Sequence, residues 1–138
     1  MSRPVAPPSG FPPPEVASLG GVEVALKPLA VAVADRYFAE FPEDVVRYGD
    51  AARDWEVHDT CHCLHWAFLD AEGYASLEKE VAWLSDVLGA RGFPLDKLAR
   101  NLELAGAVVE ERVPSGALVA GRLHAAATSV RVSSDPPA

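Results

Sequence analysis

The chain has 138 residues, about half of them hydrophobic, and a formal net charge of −8. That length and composition suit one globular domain with enough apolar side chains for a core. The acidic balance, with no basic stripe, excludes nonspecific nucleic-acid binding and an anionic membrane surface as partners; no run approaches the ~20 apolar residues of a membrane span.

The opening MSRPVAPPSG lacks the apolar core of a signal peptide, so a cytoplasmic location is expected. Residues 1–14 hold six of the twelve prolines. Proline removes a backbone donor and fixes φ, which predicts a flexible, partly polyproline arm there. Gly20-Gly21 carries no phosphate-loop context, and strand signals are poor, confined to Val22–Val24 and Val130–Val132. From Pro28 the punctuation is helical. Pro28 fits the first turn of a helix to about Phe41, with Leu29, Val33, Tyr37 and Phe41 on one face. Pro42 opens a short segment that Gly49 stops. Asp50 is placed to cap a helix running to about Asp70. Ser76 caps the next, striped by Leu77, Val81, Leu84 and Leu88, and Gly92 ends it. Pro94 starts a helix with Leu95, Leu98, Leu102, Ala105 and Val109 on one face. Pro114 breaks it, and Ser115 caps an Ala-rich helix to about Arg131. Residues 133–138 read as a loose tail, leaving 15–132 as the folded domain. The expected fold is all-α, a four- to five-helix bundle or globin-like packing.

The densest chemistry lies in Trp55–Leu69, WEVHDTCHCLHWAFL. It holds three of the four histidines, both cysteines and two of the three tryptophans. At about 100° per residue, with His58 at zero, His62 falls near +40° and His65 near −20°. Val57, Cys61, Leu64 and Phe68 flank this face on one side; Trp55, Trp66 and Leu69 flank it on the other. Glu56, Asp59, Thr60 and Asp70 fall opposite. The histidines are therefore expected on the inner, apolar arc and the carboxylates on the wet side. Cys61 reads as a buried small hydrophobe and Cys63 as a residue of the polar side. About 200° separates the two, so they cannot form a disulfide.

Several readings of the histidine face stay open. In the first, one or two of them are hydrogen-bonded core or interface residues. His58 and His62, at i and i+4, have the spacing of helical zinc ligands, with Cys61, His65 or His124 as further donors. A tetrapyrrole held by His62, His58 or His65 beside Trp66, Trp55 and Phe68 is the third. Against enzymatic chemistry, HExxH and Glu-x-x-His are absent, as are a Walker sequence and a G-x-S-x-G elbow. Cys63 has no visible base, so nucleophilic catalysis is not expected. Glu40, Glu43, Asp44, Asp50 and Asp54 read mostly as caps and solvated surface. Trp83, at the edge of its stripe, and the small residues of the last helix suggest a homodimer face.

The order Tyr37-Phe38, Phe41-Pro42, Arg47-Tyr48-Gly49, a histidine helix ending in an acidic turn, Val81-Ala82-Trp83-Leu84, Leu88, Arg91-Gly92-Phe93-Pro94 and Leu98 resembles small bacterial helical sensor modules. These occur alone or beside sensory and cobalamin-binding domains, and are distantly similar to the globin-type helices of phycobiliproteins. The resemblance covers about Leu29–Val130. Here His58 and Cys63 stand where such modules carry Asp and Leu around the histidine. The resemblance implies a regulatory or sensor role. The expected function is a non-enzymatic sensor or adaptor acting through helix-mediated association with a protein partner or itself, with metal or tetrapyrrole binding at His58, His62 and His65 as the alternative.

Overall fold

The computed structural model describes residues 12–134. Most of the predicted arm over 1–14, and the tail from 135, lie outside the described residues. Within them the fold is all-α apart from one small hairpin. Strands β1 (Val16–Leu19) and β2 (Val22–Ala25) pair antiparallel, with Leu19 opposite Val22. Gly20 and Gly21 make the two-residue turn at φ of 58° and 81°. The two-residue hairpin turn with positive φ at both positions matches strand twist, and glycine adopts that backbone without strain. The glycine pair that looked uninformative is thus the hairpin signal, while Val130–Val132 is helical.

Helix α1 (Leu26–Glu40) follows β2 without an intervening residue. The Leu26 N–H donates to the Glu15 carbonyl at 3.0 Å and ties the helix start to the hairpin. Its inner face carries Leu29, Val33 and Tyr37 as the spacing predicts. Helix α2 (Glu43–Tyr48) ends at Gly49, whose φ is 76°, and a 3-10 turn over Gly49–Ala51 leads into α3 (Ala52–Ala71). Asp50 lies in that turn and does not cap α3; Ala51 holds the cap position without a side-chain bond. Helix α4 (Leu77–Ala90) is capped as expected, the Lys79 N–H donating to Ser76 Oγ at 3.3 Å. Asp70 Oδ2 adds a second acceptor, taking the Leu77 N–H at 2.8 Å. Helix α5 (Leu95–Arg112) follows Pro94, and α6 (Ala117–Ser134) follows the turn at Pro114. Ser115 sits at φ 60° inside that turn rather than capping α6, and Ser133 and Ser134 complete the helix rather than opening a tail.

Helix α3 is the hub, packing against β1, α1, α2, α4, α5 and α6. Helices α5 and α6 form the closest pair. Val119, Ala120, Leu123, Ala126, Ala127 and Val130 are the buried side chains of α6, in the same core as Leu102, Ala105, Val108 and Val109. Of the small residues of α6, Ala120, Ala126 and Ala127 serve contacts inside the chain, while Ala117, Gly121 and Ala125 are exposed. At Gly106 the approach is tightest: a Cβ there would meet the His124 ring at 2.7–3.0 Å. Gly116 is also closed, with a Cβ position 2.9 Å from the Val113 carbonyl oxygen, whereas Gly121 faces open space.

Two contrasts test this packing. Leu102 is fully buried, so Leu102→Ala should cost about 2–5 kcal/mol of unfolding free energy in urea titrations. Gly116→Ala should also destabilise, because backbone must move, whereas Gly121→Ala should be neutral or stabilising by up to about 1 kcal/mol through helix propensity. Equal effects at the two glycines would refute the close contact at 116.

Candidate functional site

The rotation of α3 departs from the helical-wheel expectation. The side chains it buries are Ala52, Trp55, Thr60, Cys61, Cys63, Leu64, Ala67 and Phe68. These centre on the side opposite His58, His62 and His65. Thr60 is fully buried and Cys63 is 1% exposed, so neither belongs to a wet face. The three histidines and Trp66 are half-buried along the other flank. There the rings of His58 and His62 meet edge to face at 4.7 Å between centroids, and Trp66 lies 6.0 Å beyond His62. His58 Nδ1 is 3.1 Å from Asp59 Oδ1. Partial burial pushes the His65 imidazole below its ordinary range. His124 is exposed on α6 against Gly106. Among the described residues no three His, Cys, Asp or Glu side chains converge on a point fit for a metal ion. The donor set expected from His58, Cys61, His62, His65 and His124 is thus not assembled.

What the inward side of α3 assembles instead is a cavity of about 60 Å³ at its junction with α1, α2, α4 and α5. Its apolar wall includes Phe38, Trp55, Leu84, Leu88, Phe93 and Leu98. Its polar wall includes Tyr37, Asp44, Glu56, Asp59, Lys97 and Asn101. The hollow is partly open to solvent rather than sealed. A larger groove of about 300 Å³ lies between the hairpin and the end of α3, lined by His65, Phe68, Glu72 and Tyr74 among others. No buried charge lies there, and Glu72 is already engaged by the Gly20 N–H at 2.7 Å.

Two polar clusters sit in the smaller cavity. In the first, Asp44 is 3% exposed and accepts a short hydrogen bond from the Tyr37 hydroxyl. Lys97 Nζ reaches Asp44 at 2.7 Å and Glu43 at 3.0 Å, and lies 5.0 Å from the Phe41 ring centre. Burial, then the Asp44 bond and charge, raise the Tyr37 phenol far above its ordinary range. Burial alone would lower Lys97, but its bonds to Asp44 and Glu43 prevail and raise it. Asp44, expected on a solvated face, is therefore an interior anion with a matched cation.

In the second cluster Glu56 has no such match. Part of its surface opens to the cavity, yet the carboxyl lies deep in protein, and loss of hydration raises it well above the usual carboxylate range. The negative charges of Asp59 and Asp44 add to the shift; Thr60 and Arg53 oppose it. Oriented to satisfy its neighbours, the Asn101 amide donates to Glu56 Oε1 and Oε2 at 3.0 and 3.1 Å and accepts from Thr60 Oγ1 at 3.0 Å. Thr60 Oγ1 lies 3.0 Å from Glu56 Oε2. A protonated Glu56 donating to Thr60 closes a ring in which each donor finds an acceptor. Neither thiol nearby is suited to attack at neutral pH: burial pushes Cys61 up to about 11 and Cys63 higher still.

Sequence reasoning missed Glu56, Asp44 and Asn101. The single available signal was the i, i+4 pair Glu56 and Thr60, which share a helix face. No protein-family model, curated protein or solved structure matches the chain.

The pH dependence of stability follows from Glu56. Its carboxyl holds a proton more tightly folded than unfolded, where the ordinary value is 4.5. As pH rises through the window between these two values the unfolded state is favoured, so the stabilisation present at low pH is lost. Glu56→Gln keeps the ring's shape and donor without titrating. Urea denaturation from about pH 4 to about pH 8 should show the stability difference moving toward the Gln variant as pH rises. A constant difference would show that Glu56 titrates alike in both states.

Proposed function

We propose that the protein is a non-enzymatic regulatory module, a sensor that responds to a small ligand in the cavity beside α3. The observation that carries this reading is the enclosure of Glu56 in a cavity with an aromatic and aliphatic wall. Convergent polar groups in an apolar hollow are the usual form of a small-ligand site, and pKa values displaced in a cleft favour function over plain packing. The raised thiols support sensing over turnover. The resemblance to helical sensor modules points the same way.

A small-molecule fragment screen by NMR tests it. Hits should shift the Asn101 side-chain amide and the Trp55 indole together, and none should be chemically converted. Leu88→Trp, which fills the cavity, should weaken those hits by about tenfold or more while the thermal midpoint holds. Hits confined to the His58, His62 and Trp66 ridge, with a visible absorption band from a bound cofactor, would favour the metal or tetrapyrrole reading. That alternative has the ring ladder in its support.

Output through association is the second part of the proposal. Trp83 is 51% exposed on α4, and a large aromatic on the surface is the side-chain type enriched at contact hot spots. A homodimer through this face is expected to give twice the chain mass in light scattering, and Trp83→Ser should give the monomer. A monomer for the unaltered chain up to millimolar concentration would remove the dimer and leave the ligand reading standing.

A further inference from the structure

The charge inventory of the cavity indicates what it would hold. Three carboxylates, Asp44, Glu56 and Asp59, face one ammonium, Lys97. Lys97 is engaged by Asp44 and Glu43. Asp59 lies against the His58 ring nitrogen. Glu56, which lies deepest in the protein, has only neutral hydrogen-bonding partners, Thr60 and Asn101. Arg53 acts on it at a distance, but its guanidinium is held by Asp35 at 2.7 Å on the exposed side of the helix. An enclosed carboxylate requires a countercharge or a proton. An anionic ligand would meet three carboxylates, and a neutral one would leave Glu56 dependent on its proton, whereas a cation can take that proton's place. The cavity that Glu56 lines also has the aromatic residues Phe38, Trp55 and Phe93 in its wall, and aromatic faces attract cations.

We propose that the cavity binds a small organic cation, an ammonium or amidinium head of a few heavy atoms seated on Glu56, with its carbon body against Trp55 and Leu88. The inference rests on the cavity being a ligand site and adds the charge of the ligand. Binding exchanges one positive charge for another. The Glu56 proton leaves to solvent, the cation's N–H groups take its place against the carboxylate, Asn101 continues to donate to it, and the Thr60 hydroxyl turns from the Asn101 oxygen to donate to it as well. Cation affinity therefore rises with pH across the range in which free Glu56 is protonated. Asp59, Arg53, Cys61 and Cys63 on α3, Asp44 and Tyr48 on α2, Tyr37 on α1 and Lys97 on α5 are the other titratable or charged groups around it, and those engaged in pairs stay paired.

Three probes of equal length separate the possibilities: n-butylammonium, 1-butanol and butyrate, each titrated into the full chain while the Asn101 amide and Trp55 indole are followed by NMR. At neutral pH butylammonium should bind about tenfold or more tighter than butanol, its advantage should grow as pH rises, and butyrate should bind least. Glu56→Gln should bring butylammonium and butanol within about twofold of each other. The thermal midpoint of that variant verifies that it is folded. Butanol or butyrate binding as tightly as butylammonium would overturn the cation while leaving the cavity a ligand site. No shift at either reporter from any of the three, up to tens of millimolar, would overturn the cation and the ligand site together. An ammonium preference that survives Glu56→Gln would overturn Glu56 as its seat.

Discussion

A carboxyl group turned toward the protein interior sets the geometry of this molecule. Glu56 can occupy its position only while Thr60 and Asn101 face it, and these come from α3 itself and from α5. Apolar packing tolerates a helix sliding or turning by a fraction of a residue. A buried polar ring does not, because a donor left without its acceptor costs about 1–3 kcal/mol. The ring therefore fixes the rotation of the hub helix and its level against α5. With α3 so turned, Trp55 and Cys63 face inward and the histidines are carried to the opposite flank.

Outside that joint, charge pairs stitch neighbouring helices. Arg53 meets Asp35 across α3 and α1, Arg100 grips Glu40 with two bonds of 2.8 Å across α5 and α1, and Arg131 holds Glu103 across α6 and α5. The Arg100 bonds lower the Glu40 carboxyl, and the Arg131 bond lowers Glu103. Each pair is substantially exposed and contributes at most about 1 kcal/mol. Their value lies in pairing particular helices, while the apolar core supplies the cohesion. The two kinds of carboxylate also oppose one another in pH response: the surface ones favour the folded state as they ionise, and Glu56 disfavours it.

Helix boundaries followed closely from punctuation, since Pro28, Gly49, Ser76, Gly92 and Pro94 act through local backbone chemistry. The stripes of α4 and α5 were also readable, because polar and apolar residues separate cleanly around each helix. Helix α3 was not. Trp, Val, Leu, Phe and Cys wind around its whole circumference, so a wheel has no unique apolar side. The three histidines then drew attention to the wrong arc. As the hub, α3 is covered on most sides, and in such a helix the informative residues are the few polar ones that must find partners. Those partners come from elsewhere in the chain, Asn101 forty-one positions beyond Thr60, and local spacing carries no record of them. Asp44 escaped notice for the same reason, its cation being Lys97.

The direct passage of β2 into α1 has a mechanical corollary. With Ala25 ending the strand and Leu26 beginning the helix, and with Leu26 bonded back to Glu15, the hairpin and α1 behave as one lever. The hairpin end of that lever is clasped to the end of α3 by Glu72, while Tyr37, near its other end, lines the cavity. The backbone ahead of β1, the hairpin, α1 and the cavity wall are thus joined by one unbroken run of chain, anchored at its start by Glu15 and at the hairpin by Glu72.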